Sequence, residues 1–300
     1  MKNLLPLFFL IFTISCTEKK QEIKNKANLK AEIQNVIKDK NATIGVSILG
    51  FEKPFELNIN GDKHLPMQSV FKFHIALAVL NLVDTGELNL NQKIFIKKSD
   101  LLENTWSPIR EKYPNGNIEL TLAEIIKYTV AQSDNNGCDI LLKLIGGVQT
   151  VQDFTNSKAV KDFQIKYNEE KMHQDWNAQY ENYSSTNSLV NVLKAFYNDK
   201  IVSKSSTDFL MKILIGTTTG QNKLKALLPK TAIIAHKTGS SGKNDAGLTG
   251  AENDMGIVTL PNGNHYAICV FVSNSKETEA INCKIIADIS KLVYENLKDN

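Results

Sequence analysis

Ser69-Val70-Phe71-Lys72, Ser133-Asp134-Asn135 and Lys237-Thr238-Gly239 are three short segments whose residue types suit a single reaction. A serine hydroxyl is a poor nucleophile and needs a base beside it. Lys72 lies one helical turn after Ser69, on the same face of any helix that holds both. Lysine can act as that base only if its pKa falls, through burial or a neighbouring positive charge, which Lys237 could supply. Phe71, Phe73, Ile75 and Leu77 surround Lys72 with apolar residues and favour its burial. Ser133 would pass a proton to the leaving group, and Asn135 would hold an amide of the substrate. Lys237, Thr238 and Ser240 suit a substrate carboxylate. The backbone N–H groups of Ser69 and Ser240 would form an oxyanion hole, worth about 10²–10³ in rate per donor. The chemistry is acyl transfer through a serine ester.

Each segment also has a plainer reading. Ser-x-x-Lys at a helix start can be a cap followed by an exposed lysine, Ser-Asp-Asn is a good N-cap sequence, and Lys-Thr-Gly alone is a weak signal. Asp134 is expected to be structural, hydrogen-bonded to backbone. The order and spacing of all three segments favour the active reading. Glu169 then decides the fate of the ester: a hydrolase needs a carboxylate to activate water, whereas a transpeptidase keeps the ester long-lived. Glu169 lies in a long polar connection, 164–184, and its neighbour Glu170 competes for the role.

These segments must be positioned by something. Apolar spacing predicts a helix over 29–38, a hairpin of 43–49 with 55–59, and helices over 69–85, 121–130, 134–146, 186–198 and 204–215. Strand character returns at 233–238, 254–260 and 265–272; Pro261-Asn262-Gly263-Asn264 between the last two is a strong hairpin signal. A helix over 279–297 closes the chain. Strands at both ends and helices between predict an α+β, two-lobed fold. In it, residues 29–62 and 217–300 form an antiparallel sheet flanked by the terminal helices, and 63–216 form an all-helical lobe. Ser69 falls at the lobe junction, Ser133 at a helix start and Lys237 on a sheet edge, so all three converge on one crevice.

Composition narrows the classes. Three hundred residues, 42% hydrophobic and 22% charged, are those of a soluble globule of one or two domains able to bury a core without disulfides or metals. A net charge of +3 with scattered lysines offers no basic stripe for nucleic acid. Arg110 is the only arginine. No Cys/His spacing resembles a metal site, and the five histidines are dispersed, so neither metal nor cofactor is expected. Lys2, an apolar run from Leu4 to Ile14 and small Ser15 read as a cleaved export signal over 1–15, too short to span a bilayer. Cys16 follows directly, so a lipid anchor on this cysteine, with 16–28 as a polar tether, is the companion expectation, although Thr13 replaces the leucine usual three residues earlier. The protein is expected to work outside the cytoplasm. Cys138, Cys269 and Cys283 then leave at least one free thiol, with Cys138 and Cys269 in apolar, buried patterns.

At these residues the chain resembles the class A serine β-lactamases from about residue 28 onward, and within them the extended-spectrum VEB- and PER-type branch. The stretches that carry the resemblance run from Met67 to Leu80, Asn104 to Pro108, Gln132 to Asp139, Thr218 to Gly220, Ala235 to Ser241 and Asn253 to Gly263. The resemblance implies a monomeric enzyme of the Gram-negative periplasm with the serine β-lactamase/DD-peptidase-like fold. It would open β-lactams, penicillins and cephalosporins including oxyimino types, through acylated Ser69. It implies that Lys72 and Glu169 share the base role, with Glu169 acting in deacylation, and that Trp106 flanks the cleft mouth. A DD-peptidase or transpeptidase, or a non-catalytic β-lactam sensor, shares the three segments and is the alternative. There are departures. His173 stands where many members carry an asparagine that helps hold the hydrolytic water, and Asp139 where many carry an asparagine, both as in the named branch. Lys223 stands where relatives carry an arginine for the substrate carboxylate. Lysine cannot form the bidentate fork, so carboxylate binding is expected to rest more on Lys237, Thr238 and Ser240.

Overall fold

The computed structural model describes residues 25–299. The expected export segment 1–15 and Cys16 lie outside them. The first helix, α1, already runs at residue 25 and ends at 37, so residues 25–28 of the expected tether are helical. Apolar periodicity marks only the packed part of a helix, here Leu29 and Ile33, both fully buried; the polar turn before it carries no such mark.

After α1 come strands β1 (Thr43–Gly50), β2 (Glu56–Ile59) and β3 (Leu65–Pro66), a 3₁₀ turn at Gln68–Val70, and α2 (Phe71–Asp84). The middle of the chain contains β4 (Lys93–Ile96), α3 (Pro108–Lys112), β5 (Ile118–Thr121), α4 (Leu122–Ala131), α5 (Asn135–Leu144) and α6 (Val148–Ser157). It continues with β6 (Phe163–Gln164), α7 (Glu169–Gln174), β7 (Tyr183–Ser184), α8 (Thr186–Tyr197) and α9 (Lys204–Ile215). The chain then returns through β8 (Ile233–Ser240), β9 (Thr249–Thr259) and β10 (His265–Ser275) to α10 (Glu279–Leu297). The terminal strands form one antiparallel sheet in the order β2-β1-β10-β9-β8, with Thr259 opposite His265 at the expected hairpin. The anticipated antiparallel sheet with flanking terminal helices and a helical region is therefore present.

Side chains of β10 alternate between two cores, as the two-residue period of a strand requires. Tyr266, Ile268, Val270 and Val272 pack with Leu29 and Ile33 of α1 and Ile286 and Ile289 of α10. Ala267, Cys269 and Phe271 join the cluster that contains Phe73, Leu77, Ile126, Leu141 and Leu193 of the helices. The core of the helical region thus extends onto the inner face of the sheet, which fixes the cleft walls to one another. Cys138, Cys269 and Cys283 are buried free thiols.

Three features lay beyond periodicity. Helix α6 follows Gly146 and Gly147, both at positive φ, and buries only Val151 and Thr155, too thin an apolar stripe to recognise. Strands β4 and β5 pair in a separate ribbon. Two-residue strands β6 and β7 pair with each other, and β7 with β3. Phe163 faces Ser184 and Gln164 faces Tyr183, so the 164–184 connection is cinched at its neck and is not an open loop.

Candidate active site

Two residues of the site segments sit in the left-handed backbone region that side chains disfavour: Gln68 (φ 48°), just before Ser69, and Ser133 (φ 59°). Such conformations cost about 1–3 kcal/mol each and persist only where the surroundings impose them. Around Gln68, the Gln68 amide donates to Gln179 Oε1 at 2.9 Å, and Asn253 Nδ2 donates to the carbonyls of Pro66 (2.8 Å) and Met67 (3.2 Å). Around Ser133, Asp134 N donates to Tyr128 O at 3.1 Å and Lys72 Nζ donates to Ser133 O at 2.8 Å. Asp134 itself caps α5 through Gly137 N (2.8 Å) and also accepts from Ile109 N and Ser107 Oγ, which is the structural role its sequence context suggested. Burial pushes its carboxyl up from the usual range.

Helix α2 is buried over its first ten residues, so the aliphatic stem of Lys72 is held among Phe71, Phe73 and Ile75 with no exposed atoms. Its ammonium head meets four partners: Ser69 Oγ at 2.9 Å, Glu169 Oε1 at 2.8 Å, Asn135 Oδ1 at 2.5 Å and Ser133 O at 2.8 Å. Glu169 Oε1 is also 3.4 Å from Ser69 Oγ. Lys237 Nζ, equally buried, donates to Ser133 Oγ at 2.9 Å and to Thr238 O at 2.9 Å. Burial, and then the charges of Lys72 and Lys223, push Lys237 well below the ordinary lysine range. Ser69, Lys72, Ser133, Glu169 and Lys237 therefore make one continuous hydrogen-bonded chain, assembled from α2, the α5 start, the 164–184 segment and β8.

Of the two acidic candidates, Glu169 points at Ser69 while Glu170 is exposed. Asp139 on α5 explains the difference. Its carboxylate accepts from Glu169 N (2.9 Å), Glu170 N (2.9 Å) and Asn168 Nδ2 (3.0 Å), pinning the first turn of α7 and aiming Glu169 inward. Burial, and then the Glu169 carboxylate, push Asp139 up to about 7. His173 is exposed on α7, and the first turn of the helix is held from Asp139. An Asp139→Asn variant must turn an NH₂ toward a backbone N–H, leaving at least one donor unmatched. We expect ~1–3 kcal/mol lower stability from the unmatched buried groups and deacylation slowed by about tenfold as Glu169 loses its aim. Thermal unfolding and single-turnover kinetics measure both, and wild-type values in each would remove Asp139 from loop anchoring.

On β8, an added Cβ at Gly239 would lie 2.5 Å from Met67 O and 3.2 Å from Ser69 N. Glycine thus lets the strand press against the backbone that leads into Ser69, and brings the Ser240 end of β8 beside Ser69, as an oxyanion hole requires. The cleft has a volume of about 320 Å³ and is lined by Ser69, Ser133, Asn135, Trp106, Thr238 and Ser240, together with Lys223 and Glu252. Trp106 is 54% exposed at its mouth, with the indole N–H donating to Gln132 O at 2.9 Å. The loop that carries it is held by Arg110, whose guanidinium donates to the carbonyls of Leu102 (2.5 Å) and Glu103 (2.6 Å). Asn135 Nδ2 donates to Thr105 Oγ1 at 2.6 Å, and Thr238 and Thr219 hydroxyls are 2.7 Å apart. A recess of about 370 Å³ elsewhere, between residues 158–162 and α8, is larger, but its one lining hydroxyl, Ser188, donates to Lys161 O at 2.6 Å instead of to a base.

Lys223 is where the geometry differs most from expectation. It is buried, with Nζ 2.5 Å from Glu252 Oε1, 3.0 Å from Ser240 Oγ, 3.1 Å from Asn253 O and 3.3 Å from Gly239 O. Ser240 Oγ in turn donates to Glu252 Oε1 at 2.6 Å. Glu252 and Asn253 are the residues of the site that motif reading did not use for these roles, whereas the resemblance already ties Asp139 to the anchoring of the 164–184 loop. Glu252 stands beside Asn253 and Asp254 in β9, a polar run that hides its burial from a reading of periodicity. Among the described residues no cluster of His, Cys, Asp and Glu could hold a metal ion.

The model of the Beta-lactamase enzyme family matches residues 28–297. The chain is 52% identical over 293 residues to beta-lactamase VEB-1 of Pseudomonas aeruginosa, covering 97% of this chain and 96% of the relative. It is 39% identical over 267 residues to the extended-spectrum beta-lactamase PER-1 of the same species, covering 89% and 86%. The crystal structure of TLA-3 extended-spectrum beta-lactamase matches with a TM-score of 0.90 at 52% identity, covering 91% of this chain and 99% of that one.

Proposed function

The chain belongs to the β-lactamase enzyme family, as a class A member that hydrolyses β-lactam antibiotics, and from that premise we propose how its residues divide the work. Before attack, the Lys72 proton directed at Glu169, 2.8 Å away, moves to that carboxylate and leaves a neutral amine facing the Ser69 hydroxyl. Ser69 Oγ then attacks the lactam carbonyl and gives its proton to this Lys72–Glu169 pair. The carbonyl oxygen becomes an oxyanion held by the N–H groups of Ser69 and Ser240. The carbon–nitrogen bond breaks as Ser133 donates a proton to the nitrogen. The lowered pKa of Lys237, in contact with Ser133 Oγ, suits that relay. The proton taken from Ser69 replaces the one Ser133 gave up, and Glu169 returns its own to Lys72, which restores the carboxylate. In the second half, Glu169 takes a proton from water as the water oxygen attacks the ester, and passes that proton to Ser69 Oγ as it leaves. Lys237 and Thr238 hold the substrate carboxylate, Asn135 the side-chain amide, and Trp106 the cleft mouth.

The observation that carries this reading is the meeting of Lys72 and Glu169 on Ser69 within hydrogen-bonding distance. A carboxylate so close to the ester oxygen supports hydrolysis over the DD-peptidase, transpeptidase and sensor alternatives, which require a lasting acyl-serine. Relatives named for extended-spectrum activity support oxyimino-cephalosporins as substrates. The sequence of residues 1–16 supports export to the periplasm of a Gram-negative bacterium, with Cys16 as a lipid anchor, and we take the working unit as a monomer. Mixing the purified protein with a chromogenic cephalosporin tests the reaction: we expect many turnovers per enzyme. One stoichiometric burst followed by a stable adduct would overturn it in favour of the alternatives.

A further inference from the structure

Lys223 and Ser240 line the end of the cleft where a substrate carboxylate is expected, yet neither has a proton to offer it. An ammonium has three N–H donors, and Lys223 already has four acceptors within 3.3 Å: Glu252 Oε1, Ser240 Oγ, Asn253 O and Gly239 O. Ser240 has one hydroxyl proton, and it goes to Glu252 Oε1 at 2.6 Å. Glu252 is therefore the acceptor for both groups. Its side chain and that of Lys223 are each 4% exposed, so the pair is little screened by water. Exposed Glu279 lines the same end of the cleft and adds a second negative charge.

We propose that Glu252 is a specificity-determining residue: it acts as an internal carboxylate that occupies Lys223 and Ser240, so that a substrate carboxylate has to compete with it. The proposal rests on the hydrolase reading above. A carboxylated β-lactam entering this end must either share Lys223 with Glu252 or use Lys237 and Thr238 alone, against a like charge. Lys237 retains one N–H beyond its bonds to Ser133 and Thr238 O, and so remains available. The charge of Glu252 thus weakens binding of the anionic substrate before reaction, and it disfavours acids over neutral analogues by repulsion. A purely structural Glu252 would stabilise the wall and affect both substrate forms alike.

The test compares a carboxylated chromogenic cephalosporin with its neutral methyl ester on the intact enzyme and on Glu252→Gln, which keeps the shape and removes the charge. We expect the ratio of KM for the acid to KM for the ester to fall by about tenfold in the variant, the size of effect a removed like charge near a partly buried site can give. Because Glu252→Gln leaves Lys223 buried without its counter-ion and could impair folding, the same ratio is compared between Lys223→Gln and the doubly neutral Lys223→Gln/Glu252→Gln. There too, loss of the glutamate charge is expected to lower it. A ratio that is unchanged or raised in both comparisons overturns the proposal. Failure of the wild-type enzyme to turn over either substrate would instead strike the hydrolase reading.

Discussion

Glu169→Gln is expected to leave acylation of Ser69 measurable while slowing deacylation by about 10²–10⁴. The amide keeps the size of the carboxylate and can still accept from Lys72, so the nucleophile's surroundings survive. It can take a proton neither from Lys72, which slows acylation, nor from water, which slows deacylation far more. The acyl ester therefore forms and waits, and steady turnover of a chromogenic cephalosporin becomes a burst of one equivalent. The position is sensitive because nothing nearby substitutes: Glu170 is exposed and held outward by Asp139, and His173 is exposed as well. Stopped-flow absorbance separates the burst from the slow phase. Wild-type turnover in this variant would take Glu169 out of the hydrolytic step.

Ser69→Ala is expected to abolish covalent chemistry and lower kcat/KM by about 10⁵ or more, since members of a nucleophile–base unit act together and the loss of one forfeits most of the gain. The remaining groups should still bind substrate. Alanine at this position leaves Lys72 paired with Glu169, Asn135 and Ser133 O, so no charge is stranded and the fold should hold. Equilibrium binding of a cephalosporin to Ser69→Ala then reads ground-state affinity without turnover. A covalent product on another residue would refute the assignment of the nucleophile.

Much of this site was legible in the residues because its parts are local. Ser69 in the 3₁₀ turn and Lys72 in the first turn of α2 are three residues apart and in contact, and Ser133-Asp134-Asn135 doubles as the cap of α5. Lys237-Thr238-Gly239 needs only a strand with a glycine where two backbones meet, and Gly239 against Met67 supplies the reason. The alternation of β10 and the long α10 were readable for the same reason. What was not legible depends on contacts between distant segments. The choice of Glu169 over Glu170 follows from Asp139, thirty positions earlier, and from pairing of β6 with β7. The engagement of Lys223 follows from β9 bringing Glu252 beside it, which no local pattern announces. How the helical region packs on the sheet was not legible either, because the strand residues that alternate in sequence face two different sets of helices.

The most direct measurement is peptide mass mapping of Glu169→Gln after brief exposure to a cephalosporin. The mechanism requires a single added acyl mass, on the peptide that contains Ser69 and absent from the Ser69→Ala background. An adduct located on any other residue, or none formed while wild-type enzyme still consumes the drug, would contradict it.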